Sequence, residues 1–134
     1  MGSFSNYLED KILDQIVGKT DYTMPTAYIA LSTADPTDDG SGMAEPSGNG
    51  YARVSTSGSD WNASSGGSIS NANDITFPEA SGDWGTITHF AIFDAATSGN
   101  MLAHGSLGTS KQIQDGDTAK FPGGTPGDIV ITLD

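Results

Sequence analysis

GDWGTITHFAIFDAATSGN, residues 82–100, is the most apolar and least ambiguous piece of the chain. Within it Ile87, His89, Ala91 and Phe93 fall on one face of an extended segment and Phe90 and Ile92 on the other. Both faces are apolar, which predicts a central strand covered on two sides. Thr97–Ser98–Gly99–Asn100 is a polar four-residue turn, and MLAHGSL (101–107) after it reads as the hairpin partner. Trp84, between Asp83 and Gly85, is placed to cap the core where the strand begins. His89 reads as scaffold, with one ring nitrogen bonded to a backbone carbonyl.

Working outward, the segments on either side repeat the same grammar. In TAYIALSTA (26–34) Ala27, Ile29 and Leu31 alternate with Tyr28, Ala30 and Ser32, a strand with one core face. YARVS (51–55) is a short strand, and TSGSDWNASSGGSISNAND (56–74) is rich in Ser, Gly and Asn, with Trp61 and Ile69 as apolar posts before Ile75–Thr76–Phe77. KQIQ (111–114) and TAKF (118–121) flank Asp115–Gly116–Asp117, a strong hairpin signal because Asp-Gly readily takes positive φ. DIVITLD (128–134) alternates again, so the chain is expected to end inside a strand with no tail. The fold class is therefore mainly β, an antiparallel β-sandwich of about seven or eight strands with one N-terminal amphipathic α-helix. At 134 residues a single domain, 1–134, is expected, with a docking helix at 5–17 and the sandwich over 26–134.

That helix is the exception to the β pattern. Leu8, Ile12 and Ile16 recur every fourth residue, Leu13 and Val17 widen the stripe, and Glu9, Asp10, Lys11, Asp14 and Gln15 can face water. Ser5 or Asn6 serves as N-cap, Glu9 completes a capping-box pattern with Asn6, and Gly18 suits the left-handed C-terminal position. A helix this short is marginal alone, so its apolar stripe must dock on its own sheet or on a neighbouring subunit.

Composition narrows the chemistry. With 17 acidic and 5 basic residues the net charge is -12, which repels nucleic acid and anionic membranes alike. There are 0 Cys, so no disulfide, thiolate metal site or cysteine nucleophile is available. No apolar run approaches the ~20 residues of a membrane span, and no basic segment precedes an apolar one at the start, so a soluble chain without a secretion signal is expected. His89 and His104 sit on adjacent predicted strands, yet no third ligand accompanies them. No Gly-x-Ser-x-Gly elbow, no Gly-x-x-x-x-Gly-Lys cradle and no carboxylate pair stands out, so no catalytic residue and no cofactor are expected. The loop DPTDDGSGMAEPSGNG (35–50) resembles a calcium loop until its twelfth position, which is Pro46 where a bidentate Glu is needed. No metal site is expected, although Asp38, Asp39 and Glu45 keep a non-EF-hand cation site in view. At roughly 16 residues the loop is long enough to serve an interface.

SNYLEDKILDQIVGKTDY (5–22), AYIALSTADPTDDGSGMAEPSGNGYARVS (27–55), DITFPEASGDWGTITHFAIFDAATSGNMLAHGSL (74–107) and KQIQDGDTAKFP (111–122) together resemble a family of small bacteriophage and prophage virion proteins described as tail-fibre-like. GDWGTITHFAIFDA (82–95) is the most specific part. The resemblance implies a structural virion component rather than an enzyme, located in the particle and assembled in the host cytoplasm. By likeness to small β-sandwich proteins of phage heads it suggests a homotrimeric capsid cement or decoration protein, partnered by the major capsid protein or other virion proteins. The alternative is a tail or neck fibre-like protein that attaches to the host surface or its glycans. The expected interface consists of Leu8, Ile12, Leu13 and Ile16 of the helix and Asp38, Asp39 and Glu45 of the acidic loop.

Overall fold

The computed structural model describes residues 2–133. Its strands are β1 (Gly2–Phe4), β2 (Ala27–Ser32), β3 (Val54–Thr56), β4 (Ser68–Ser70), β5 (Ile75–Thr76), β6 (Gly85–Phe93), β7 (Met101–Ile113), β8 (Lys120–Phe121) and β9 (Val130–Thr132). One α-helix, α1 (Asn6–Ile16), follows β1, and a single 3-10 turn spans Gly58–Asp60. Seven strands form a sheet in the order β3-β2-β6-β7-β1-β9-β4, and β5 pairs with β8 in a second, two-stranded sheet. The expected mainly β, sandwich-like architecture holds. It is not purely antiparallel, because β1 runs antiparallel to β7 but parallel to β9, meeting it at Gly2 and Ile131.

The apolar opening stretch occupies the middle of the large sheet as anticipated, with β2 on one side of β6 and β7 on the other. Its inner face carries Ile87, Phe90 and Ile92 into a core shared with Ile29, Leu31, Ile113 and Ile131. The small sheet closes that core, since Phe121 meets Phe90 edge-on at 6.1 Å and Phe77 at 6.2 Å. Such edge-on pairs add to plain area burial.

Two expectations need correction. Simple alternation placed Ile87 with His89, Ala91 and Phe93, but Ile87 lies in the core while Ala91 and Phe93 join Ala30 and Met101 on the opposite face. The cause is a bulge: Ile87 pairs with Lys111 and His89 with Ser106, so Leu107, Gly108, Thr109 and Ser110 stand opposite Thr88 alone. β6 itself departs from strict alternation across this break, since Ile87 and Phe90, three residues apart, both reach the core. The Asp115–Gly116–Asp117 turn does form, with Gly116 at φ 86° and the Asp117 N–H donating to Gln114 O at 2.9 Å. The runs flanking it do not pair with each other, however. Ile113 continues beside Gly85 of β6, whereas Lys120 and Phe121 pair with Thr76 and Ile75. Closing the core from above outweighs the local hairpin.

The first strand had no signature in the sequence. Gly2 fits because it has no side chain: a Cβ there would lie 2.4 Å from His104 O and 2.9 Å from Phe90 Cζ. The expected end of the chain at Asp134 lies outside the described residues.

Candidate functional site

Helix α1 starts where β1 ends because Ser5 is committed on both sides. Its Oγ accepts the Leu8 N–H at 3.2 Å and donates to Met101 O, while its own N–H donates to Leu102 O at 2.8 Å. Ser5 is thus the N-cap, and Asn6 is the first helical residue rather than the cap of a capping box. Gly18 ends the helix at φ 72°, its N–H donating to Gln15 O at 3.1 Å. That left-handed closure is the one the sequence promised.

Only part of the helical stripe docks. Leu8 is buried and Ile12 packs against the core, so these two hold α1 to its own sheet. Leu13, Ile16 and Val17 are 61%, 71% and 78% exposed, and Met24, on the segment that follows, is 57% exposed. Tyr22 meets Tyr7 edge-on at 6.4 Å and pins that segment beside the helix. Glu9 and Asp10 are also exposed and stand one turn before Leu13, so two carboxylates precede the free apolar side chains on one helical face. Met24 was absent from the sequence expectation. Its only signal is a large apolar residue just beyond a helix end.

The acidic loop is tied to the body of the fold while its aspartates stay exposed. Asp38 lies 2.8 Å from His104 on β7, and its carbonyl accepts the Asn6 N–H at 2.9 Å, which ties the loop to the start of α1. Asp39 Oδ1 accepts from the Ser41 N–H at 2.9 Å and the Thr37 hydroxyl at 2.7 Å. Glu45 takes both Arg53 Nε, at 2.8 Å, and Nη2, at 2.9 Å, and also accepts from the Tyr51 hydroxyl. The same guanidinium donates to Ala95 O and Ser98 O, each at 2.8 Å, and sits 3.9 Å over the Phe93 ring. A bidentate, stacked arginine of this kind locks the β6–β7 turn. Burial, then the hydrogen bond to Glu45, pushes the Tyr51 phenol well above its ordinary range. The three carboxylates therefore serve three separate partners, and among the described residues no three His, Asp or Glu side chains gather where a metal could be held.

Asp39 gives a pH prediction. Its hydrogen bonds, the Ser41 N–H first, then the hydroxyls of Ser41 and Thr37, hold its carboxyl at about 2 instead of 3.8. A folded-state value below the unfolded one stabilises the loop above pH 3.8, and that contribution fades as pH falls through about 2. The Asp39 carboxyl carbon is expected to titrate by NMR at about 2. In Thr37→Val the midpoint should rise, but only part of the way, because the larger Ser41 donors remain.

The histidines are divided by the same geometry. His104 is held by the loop, whereas His89 is half-buried beside Ser32 of β2, with Nδ1 2.8 Å from the Thr88 hydroxyl rather than a backbone carbonyl. The two tryptophans are anchored by their indole N–H groups: Trp84 Nε1 donates to Asn49 O at 2.9 Å and Trp61 Nε1 to Thr56 Oγ1 at 3.1 Å. Among the described residues the exposed large apolar side chains are those of Leu13, Ile16, Val17, Met24 and Leu133, none of them aromatic. Beside the bulge of β7 a groove of about 700 Å³ opens onto Ile87, Phe90 and Phe121, with Lys111 and Lys120 at its rim.

These features define a class, a sandwich-like β module with one end of an amphipathic helix left uncovered. A family model described as podophage GP4 fiber I protein gp80 matches residues 3–127, and the chain belongs to that family. It is a bacteriophage virion structural protein of the fibre-like kind. No curated protein matches the chain.

Proposed function

We propose that the chain is a fibre-type building block of a podophage particle, assembled as a homotrimer and working by adhesion rather than by turnover. The uncovered end of α1 carries this reading. Leu13, Ile16, Val17 and Met24 expose four large apolar side chains on a chain of net charge -12, where solubility alone would favour polar residues. Burying each fully stabilises an assembly by roughly 1.5–3 kcal/mol, and symmetry repeats the gain at every interface. The family's description as a fiber protein supports this reading. The tethered loop supports the same view, since Asp38 is spent on His104 of β7, Glu45 on Arg53, and Asp39 on the loop's own Thr37 and Ser41.

Two measurements test the proposal. Ile16→Asp with Val17→Asp should reduce the assembled species to monomer while moving the thermal midpoint little, because exposed positions away from structural contacts typically shift stability by less than about 0.5 kcal/mol. Quantitative mass spectrometry of purified particles should find a handful of copies, located at the tail by antibody labelling. Hundreds of copies over the head would replace the fibre with a capsid cement protein. Absence from mature particles would end both.

A further inference from the structure

Resting on that reading, we infer that the free end of α1 seats in the groove beside the β7 bulge of the next copy, so that subunits join head to tail through two different surfaces. Three observations lead there. The groove has an apolar floor, Ile87, Phe90 and Phe121, and none of α1's residues lines it within its own molecule. Its rim carries Lys111 and Lys120, two of only 5 lysines and arginines in the chain. Lys111 makes no ion pair among the described residues, and Lys120 reaches Asp74 at 3.7 Å with about half its side chain still exposed. Asp128, also on the groove wall, offsets part of this positive charge.

The helix offers the complement. Glu9 and Asp10 precede Leu13, Ile16 and Val17 along one exposed face, over a length of roughly 12 Å at 1.5 Å per residue. Carboxylates followed by aliphatic side chains match lysines set at the edge of an apolar trough. Leu107, Gly108 and Thr109, displaced from the ladder opposite Thr88, line the groove. Because the two patches differ, the contact is heterologous, and it closes into a ring when the rotation between copies allows. A trimer is one such ring.

The 0 Cys of the chain make the test clean. Ile16→Cys and Thr109→Cys introduced together should give covalent oligomers on mild oxidation, since a disulfide forms only where Cα atoms come within about 7 Å. Each single variant should remain uncoupled. Lys111→Glu should weaken association about tenfold, and adding Asp10→Lys should restore most of it, as expected of facing charges. The inference is overturned if Ile16→Cys alone cross-links efficiently, which would show helix meeting helix, or if Lys111→Glu associates normally. A chain that stays monomeric at every concentration also overturns it. The fibre reading is judged separately, by copy number and location in the particle.

Discussion

Asn71→Ala is expected to cost about 3–4 kcal/mol, on the estimate that each buried polar group left without a partner loses roughly 1–3 kcal/mol. Asn71 is completely buried, at 0% exposure, and its side chain does the work of a short strand. Nδ2 donates to the carbonyls of Asn73 at 2.9 Å, Pro122 at 3.1 Å and Phe121 at 3.2 Å, while Oδ1 accepts the Ile129 N–H at 2.9 Å. One amide thus holds both ends of the segment between β8 and β9. Gly127 lies flush against it, leaving no room there for a Cβ beside Asn71. The thermal midpoint should fall by roughly 10 °C for a domain of this size. Asn71→Asp separates hydrogen bonding from shape: it keeps the volume but turns an oxygen toward three carbonyls, and should be at least as damaging. A near-neutral Asn71→Asp would mean that the amide is not oriented as described.

Asn71 also marks the limit of what could be foreseen. It sits in a Ser, Gly and Asn-rich stretch where nothing separates a buried amide from its solvated neighbours. Its partners, Phe121 and Ile129, are at least 50 positions away. By contrast α1, β2 and β6 were legible, because a repeat of three to four or of two residues records locally which face is covered. Ser5, Gly18 and the apolar centre of β6 behave as their local chemistry demands. What failed was non-local. β1 is three residues without a pattern, and the face of Ile87 goes with a register break that puts three extra residues in the opposite strand. β8 abandons its sequence neighbour for β5 because Phe121 fills the lid of the core. At the site, the sequence marked the helical stripe but not its division into a docked half and a free half, which the sheet beneath it decides. The acidic loop was visible as unusual, while its ties to His104 and Arg53 span 66 and 8 residues.

The second large effect is expected at Phe90. Phe90→Ala should remove about 3–5 kcal/mol, the usual range for emptying an aromatic position in a core. The side chain is 1% exposed and stands where three parts of the fold meet. Its ring faces Phe121 of the small sheet at 6.1 Å, its backbone pairs with Leu31 and Gly105, and its Cζ approaches Gly2 so closely that β1 has no room for a methyl group. Alanine would leave the small sheet without a floor and β1 without one wall. Because the groove opens onto Phe90, water would enter the space rather than leave it dry, so collapse of the neighbours cannot recover much of the loss. Chemical denaturation should show a lower midpoint with an unchanged slope, the signature of lost stability in an otherwise intact two-state fold. Phe90→Leu, which keeps most of the volume, should cost less than half as much. If Phe90→Ala lost under ~1 kcal/mol, well below the large-to-small range, the two sheets would not be packed through this ring and the sandwich would have to be closed elsewhere.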